Sequence, residues 1–266
     1  MLDQFNRHIN YLRISVTDRC NLRCVYCMPE DGVPAFQHKD ILSYEEIRDI
    51  TAYLVSKGVD KVRLTGGEPL VRRDIHVLVR MLSQISGIRD LSMTTNGILL
   101  DKYAQLLADS GLQRVNVSLD SLDQQKYHKI TRRGHLKDVL RGIQAAEEAG
   151  LQPIKINMVI NQYSTLADRK ELQAFADRKG YSLRFIHEMQ LNSGTFTRVE
   201  GGEGGNCAAC NRIRLTADGK LKPCLFSSLA YDVREPGIKN ALKLSLENKP
   251  GAGSVNTHEH FSQIGG

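Results

Sequence analysis

Six cysteines fall into two sets of three. Cys20, Cys24 and Cys27 lie in "CNLRCVYC", a C-x3-C-x2-C loop, while Cys207, Cys210 and Cys224 form a C-x2-C-x13-C pattern. Thiolate is a soft ligand that suits iron or zinc far better than magnesium or calcium. A structural zinc site closes with four ligands, usually as paired CxxC or HxxH units, and no further His or Cys stands beside the first set to complete it. Three thiolates on one short loop instead match three corners of an iron–sulfur cube, which leaves one iron open for chemistry. The second set, taken alone, also admits a zinc ribbon because of the hairpin position of Cys224. Beside a first three-cysteine set, a second cube with its own open iron is favoured, and its use would be to bind substrate.

The rest of the composition bounds the setting for that chemistry. A chain of 266 residues, 41% hydrophobic and 25% charged, has the make-up of a globular domain and excludes disorder. No apolar run approaches the roughly 20 residues that span a bilayer, and "MLDQFNRHINYLRIS" lacks the basic flank and apolar core of a signal peptide. A cytoplasmic location with no membrane association is therefore expected, and a reducing compartment favours metal or redox use of the thiols over disulfides. The net charge of +6 fits an anionic partner without separating nucleic acid from a phosphorylated small molecule.

Up to about residue 190, short β-branched runs alternate with segments of helical period. The runs "YLRISV", "KVRLTGG", "LSMTTN", "RVNVSL", "KINMVI" and "LRFIHEM" begin near residues 11, 61, 91, 114, 155 and 183. Between them lie five helical stretches, the first opened by a capping box of Ser43 and Glu46. Gly58, Gly111, Gly150 and Gly180 stand where helices should end. Strict alternation predicts parallel strands, as an open sheet or as a full or partial barrel, with ligands at the strands' carboxyl ends. Cysteines, "GGEP", "TNG" and "SLDS" follow the first four strands in turn and so describe one site. Residues 191–206, rich in Gly, Ser and Thr, read as a flexible linker between a body at 1–190 and a C-terminal region at 207–266. That region carries a hairpin turning at Asp218 and Gly219, then a helix around "IKNALKLSLEN".

"CNLRCVYC" resembles the signature of the radical S-adenosylmethionine (SAM) superfamily, and "GGEP" at 66–69 resembles its motif that meets the SAM amino group. Within that superfamily, "CAACNRIRLTADGKLKPCLF", "YLRISVTDRCNLRCVYCMP", "VRLTGGEPLVRRD", "TTNG", "VNVSLDSLD" and the terminal Gly265 and Gly266 resemble the GTP 3',8-cyclase family of molybdenum cofactor biosynthesis. The resemblance covers the N-terminus to about residue 190 and 207 to the end. It implies an α/β fold, a partial (β/α)6 TIM barrel with a C-terminal iron–sulfur hairpin extension. It also implies two 4Fe-4S clusters, one on Cys20, Cys24 and Cys27 and one on Cys207, Cys210 and Cys224, with SAM held by Tyr26, Gly67, Ser118 and Met189. By the same carry-over, GTP would meet Arg13, Arg63, Thr94, Lys155, Arg212, the backbone of Ile213, and Arg214. In that family the adenosyl radical takes the ribose 3'-hydrogen and the sugar radical attacks carbon 8 of guanine. A flavodoxin-like electron donor and a cyclic pyranopterin synthase acting on the product come with the family, and a homodimer is compatible with the sequence.

Elementary physics supports the carry-over. Arg13, Arg63 and Lys155 lie on strands whose inner faces line a barrel, where an uncompensated cation is costly and a polyphosphate would offset it. Arg212 and Arg214 alternate by two and share one face, and guanidinium grips phosphate in a bidentate fashion. Ordinary roles stand beside each of these. Asp120 or Glu68 could neutralise the arginines, Ser118 could cap a helix, and Tyr26 and Met189 could be packing. Gly66 and Gly67 could form a plain turn, although at a strand end they also allow a ligand to approach the backbone, with the acid beside them accepting its ammonium.

Two features depart from the family. The segment 191–206 is shorter by several dozen residues, and the usual "FIELMP" reads "FIHEMQ", bringing in His187 and Glu188 while keeping Met189. An alternative reading is therefore a diverged radical SAM enzyme with an auxiliary cluster that acts on another substrate, such as a peptide. An iron–sulfur or zinc protein that binds nucleic acid would leave the strand-end motifs unexplained. His258 and His260, two apart near the terminus, are read as incidental.

Overall fold

The computed structural model describes residues 1–256 and 261–264. His258, His260, Gly265 and Gly266 lie outside the described residues. Six strands form in the expected places: β1 (Tyr11–Ser15), β2 (Lys61–Thr65), β3 (Asp90–Thr95), β4 (Arg114–Ser118), β5 (Lys155–Ile160) and β6 (Ser182–His187). All pair in parallel with their sequence neighbours. The connecting helices are α1 (Tyr44–Ser56), α2 (Ile75–Ser83), α3 (Leu100–Asp109), α4 (Gln124–Thr131), α5 (Leu136–Glu148) and α6 (Leu166–Lys179).

The strand pleat sorts residues by chemistry. Leu12, Ile14, Val62, Leu64, Val115 and Val117 are fully buried in the main apolar core. Their alternating neighbours Tyr11, Arg13, Lys61, Arg63, Arg114 and Ser118 line a cavity on the other face. One face of each strand therefore builds the body and the other builds the site.

Local signals place the helices. Ser43 accepts from the Glu46 N–H at 3.1 Å while the Glu46 carboxylate accepts from the Ser43 N–H at 2.7 Å, the expected capping box. Thr165 and Asp168 form a second one at the start of α6, and Gly180 ends that helix with φ of +68°. Helix α4 was not expected, because its eight residues "QQKYHKIT" carry too few apolar positions to show a period. It is set by Asp123, whose side chain accepts from the Lys126 N–H, and it buries only Tyr127, Ile130 and Thr131.

The C-terminal region continues the barrel sheet. The hairpin of β7 (Arg212–Leu215) and β8 (Lys220–Lys222) is followed by β9 (Tyr231–Asp232) and then by helices α7 (Ile238–Glu247) and α8 (Phe261–Ile264). Strand β7 pairs with β1 in parallel, so the sheet runs β6-β5-β4-β3-β2-β1-β7-β8-β9. The turn at Asp218 and Gly219 falls as expected, with Gly219 at φ of +84°. Residues 191–206, read from composition as a flexible linker, carry defined backbone contacts. Phe185 and Glu200 exchange N–H···O bonds of 3.1 and 3.0 Å along β6, the last strand of the sheet. An exposed strand edge offers unpaired N–H and C=O groups, and this strap takes up the pair at Phe185.

Helix α5 shows how tightly the outer layer is fitted. A Cβ at Gly142 would stand 2.2 Å from the Gly97 carbonyl oxygen, in the turn that leads from β3 to α3. No side-chain rotation relieves a clash with backbone. Gly142→Ala is expected to lower stability by about 1–3 kcal/mol, even though alanine favours the helix by about 1 kcal/mol. Urea unfolding of the purified variant would measure this.

Candidate active site

The inner face of the sheet and its loops enclose a cavity of about 660 Å³ that is lined by all six cysteines. It lies on the polar side of the pleat and is therefore walled by strand residues from both the barrel and the C-terminal hairpin.

The first cysteine loop leaves β1 and is held by its backbone. The Cys24 carbonyl accepts from the Cys27 and Met28 N–H groups at 3.0 and 3.1 Å, a turn that brings these two cysteines to one side. Arg23 donates to the Cys20 and Leu22 carbonyls at 2.7 and 2.8 Å, and Arg132 donates to the Arg23 and Met28 carbonyls at 2.9 and 3.1 Å. The N–H groups of Arg23 and Val25 also dock on the end of α4, at the Thr131 and Ile130 carbonyls. Burial pushes the Cys20 thiol up to about 11, with Glu68 adding to it, and the Cys27 thiol up to about 12, with Cys20 adding to it. Thiolates here are costly unless cations sit among them, and iron would supply those cations. Among the described residues no three His, Cys, Asp or Glu side chains converge as they would on one metal ion. A cube does not require such convergence, since each thiolate meets a different iron.

The strand-end motifs brace this loop. The Gly67 N–H donates to the Thr17 carbonyl at 2.7 Å and the Glu68 N–H to the Arg19 carbonyl at 2.8 Å. A Cβ on Gly67 would stand 2.2 Å from the Arg19 carbonyl oxygen, so the close approach permitted by glycine is used first by the chain's own cysteine loop. Glu68 is buried and accepts from the Thr95 hydroxyl and the Asn96 N–H, both at 2.7 Å, and from the Leu70 N–H at 3.1 Å. Burial lifts its carboxyl to about 7 against those bonds. Asn96 donates through its side chain to Asn21 at 2.7 Å, next to Cys20. The Tyr26 hydroxyl donates to buried Asp120 at 2.7 Å, and Asp120 also accepts from the Val159 N–H at 2.7 Å. Glu68 and Asp120, considered as ion-pair partners for the arginines, are thus engaged in bracing strand ends.

The opposite wall is cationic. Arg13 stands in register with Arg63 on β2 and with Arg214 on β7, forming one row across three strands. Burial, with added repulsion from neighbouring cations, pulls Arg63 and Arg214 down to about 10. Arg13 is also lowered, by burial and then by Arg214. The Arg63 guanidinium lies 5.3 Å from the Tyr11 ring centre, and Arg212 lies 5.8 Å from the same ring. Lys155 is lowered by burial and by Arg184, Arg114 and Arg63. An anion with several charges would relieve all of these groups together.

The C-terminal cysteines close the cavity from the hairpin side. The Cys210 N–H donates to the Cys207 carbonyl at 3.2 Å, and Cys224 directly follows the end of β8 and Pro223. Burial alone would raise the Cys210 thiol, but Lys249, the Arg212 N–H and the charges of Arg212 and Arg214 outweigh it and lower it. Cys224 is raised by burial against the pull of Lys249. Met189 packs with Leu191, Leu225, Phe226 and Ile264 in a small apolar cluster beside Cys224.

Arg13, Tyr26, Arg63, Gly67, Thr94, Ser118, Lys155, Met189, Arg212 and Arg214, named from the sequence, all line this cavity. Ile213 does not. Alternation on β7 turns its side chain into the main core, where it is 1% exposed, while its backbone lies in the ladder with β1. Residues overlooked in the sequence include Lys61, Arg114, Arg184 and Asn157, which also line the cavity. Stepping by two along strands already carrying named residues would have reached Lys61 from Arg63 and Asn157 from Lys155.

Comparison with known proteins agrees with this geometry. Residues 14–176 match the Radical SAM superfamily, and residues 154–249 match Molybdenum Cofactor Synthesis C. A GTP 3',8-cyclase of Thermodesulfovibrio yellowstonii is 42% identical, over 88% of this chain and 87% of that protein. Another, of Alkaliphilus oremlandii, is 39% identical over 100% of both chains. That second alignment runs over 321 positions against 266 residues here, so the relative carries several dozen positions that this chain lacks. Among solved structures, Streptococcus suis SuiB bound to precursor peptide SuiA superposes with a TM-score of 0.71 at 17% identity, over 91% of this chain and 66% of that one. The enzyme anSMEcpe with bound AdoMet gives 0.68 at 16%, over 90% of this chain and 78% of that one. These structural likenesses carry the fold alone, but identity near 40% along the whole length carries the family. The chain belongs to the radical SAM superfamily and, within it, to the GTP 3',8-cyclase family.

Proposed function

We propose that this chain cyclises GTP to 3',8-cyclo-7,8-dihydro-GTP, the first step of molybdenum cofactor biosynthesis. The observation that carries this reading is the full-length identity to proteins named GTP 3',8-cyclase, joined to a cavity where both cysteine sets face one cationic wall. Cys20, Cys24 and Cys27 would hold one 4Fe-4S cluster, and Cys207, Cys210 and Cys224 would hold a second. With SAM bound at the first, that cluster would supply one electron to break the SAM sulfur–C5' bond, giving methionine and a 5'-deoxyadenosyl radical able to remove hydrogen from the ribose.

The chain's own residues then orient and protect. Tyr26 is fixed by Asp120 at the end of β4, and with Gly67, Ser118 and Met189 it frames the space beside the first cysteine loop for SAM. Arg13, Arg63, Lys155, Arg212 and Arg214 would take the triphosphate, with Thr94 as a neutral contact on the same wall. Ile213 would meet GTP through its backbone, its side chain being turned into the core between Arg212 and Arg214. The stacked rings of Phe196 and Phe226, 4.4 Å apart, give the cavity an apolar wall that limits water around the reacting sugar. Among the described residues no helix is long and apolar enough to cross a membrane. The reading places the enzyme in the cytoplasm with a flavodoxin-like electron donor and a cyclic pyranopterin synthase downstream.

Anaerobic reconstitution is expected to give about eight irons per chain, as two cubes require. Reduced protein with SAM and GTP should yield 5'-deoxyadenosine together with a cyclised nucleotide. Stoichiometric zinc without SAM cleavage would end the reading, and deoxyadenosine without GTP consumption would redirect it to another substrate. Cys24→Ser should abolish SAM cleavage, whereas Cys210→Ser should keep uncoupled cleavage and lose cyclisation.

Arg63→Ala should weaken GTP binding by about 10- to 100-fold, the loss of one charge-assisted phosphate contact. Arg63 is repelled by Arg114 and Arg184 and attracted by Tyr11 and Asp90, so these effects of its removal oppose one another. An unchanged melting temperature beside the weakened binding would mark the effect as one on the ligand. Gly67→Ala should displace the Arg19 carbonyl and with it Cys20, so that bound iron falls to about four per chain. Iron analysis after reconstitution reads this directly.

A further inference from the structure

Two buried cations, Lys249 and Arg7, lie behind the C-terminal cysteines. Lys249 is 2% exposed, and its ammonium donates to the Arg212 carbonyl at 2.8 Å and to the Pro223 carbonyl. Arg212 lies two residues after Cys210, and Pro223 immediately precedes Cys224. One side chain from the end of α7 therefore ties together the two backbone segments that carry Cys210 and Cys224. Arg7 does the same for the third cysteine. It is 8% exposed and donates to the Cys207 carbonyl at 2.8 Å, to Gly251 at 3.1 Å and to Pro250 at 2.7 Å. Asp3 holds Arg7 in place at 2.7 Å, and Gln4 donates to the Lys249 carbonyl at 2.9 Å.

An ammonium placed against backbone carbonyls alone is an expensive choice if the purpose is only to join two strands, since a neutral amide could make the same bonds without the desolvation of a charge. The charge gains a purpose when a cluster with thiolate ligands lies next to it, because a nearby cation favours the more negative, reduced state. We propose that Lys249, supported by Arg7, is a positioning residue for the C-terminal cluster. It fixes the spacing of Cys210 and Cys224 and sets the cluster's reduction potential through its charge. This rests on the reading that Cys207, Cys210 and Cys224 hold a 4Fe-4S cluster.

The test uses the full chain carrying Cys20→Ala, Cys24→Ala and Cys27→Ala, so that only the C-terminal cluster reports. That background should bind about four irons after reconstitution. Lys249→Gln keeps a donor for the carbonyls and drops the charge. It should retain that iron and show a midpoint potential, in an EPR-monitored titration, more negative than the background. Lys249→Met drops both and should lose at least half of the iron while keeping the helical circular dichroism of the background. A Lys249→Gln midpoint equal to the background overturns the electrostatic role, and full iron in Lys249→Met overturns the positioning role. If Lys249→Met is recovered unfolded, the Lys249→Gln midpoint alone decides. A background that binds no iron would instead remove the C-terminal cluster on which the inference stands.

Discussion

The structure depends on holding many like charges inside one cavity. Cations from six strands, β1, β2, β4, β5, β6 and β7, face the same space, and buried arginines there are pulled down by desolvation and by one another. Asp90, which pairs with Arg114 at 2.5 Å, offsets part of that charge, but so polar an inner face cannot act as an apolar core. The same strands offset it on their other side, where Leu12, Ile14, Val62, Leu64, Val115 and Val117 pack fully buried against the helical layer. At about 25 cal/mol per Å² of apolar area removed from water, each such side chain contributes roughly 1.5–3 kcal/mol. The pleat thus lets one set of strands be a hydrophobic core and a cationic wall at once, and the fold stands because the two faces are separated by a single layer of backbone.

Both cysteine loops must stay in place without burying much apolar surface, since their thiols face the cavity. Each is held by cationic side chains that donate to backbone carbonyls. Arg23 and Arg132 grip the N-terminal loop, and Arg7 and Lys249 grip the C-terminal one. Charge-assisted bonds of this kind are stronger than neutral ones and fix geometry without occupying the thiols. They also bring positive charge to the sides of the sites where thiolates would gather. The close seating of Gly67 on the Arg19 carbonyl adds a steric stop that makes the end of β2 a template for the first loop.

Much of this was legible in the sequence because it rests on local chemistry. The six parallel strands follow from β-branched runs, the Ser43–Glu46 box from its spacing, and the hairpin turn from Asp218 and Gly219. Most of the cavity residues follow from the motifs at the strand ends. What escaped depends on tertiary pairing. Helix α4 has too little apolar periodicity to read, yet its last turn receives the first cysteine loop. Lys249 and Arg7 are separated from the cysteines they hold by up to 200 positions, as for Arg7 and Cys207, so no spacing rule reaches them. Glu68 and Asp120 were weighed as ion-pair partners on charge alone, whereas their hydrogen bonds come from backbone and hydroxyl groups brought in by other strands and by the first cysteine loop.

The segment between β6 and Cys207, which the family resemblance led one to expect as a shortened linker, is held by contacts of its own. Where the family motif carries a glutamate, this chain has His187, and the carboxylate arrives instead from the strap: Glu200 lies 3.0 Å from His187 and 2.7 Å from Arg169. These groups are between about a quarter and a half exposed. Exposed ion pairs contribute only about 0–1 kcal/mol, so they cannot be what holds the strap. Its register is set by the paired backbone bonds between Phe185 and Glu200, and its inner side by Phe196 stacked on Phe226 and by Leu191 in the cluster beside Cys224. Gly201 and Gly205 then let the strap turn tightly, each in a left-handed conformation with a carbonyl of Leu183 or Thr197 where a Cβ would stand. A few residues can thereby wall the β6 side of the cavity, because the edge strand already provides the hydrogen-bonding template and only the path back to Cys207 has to be built.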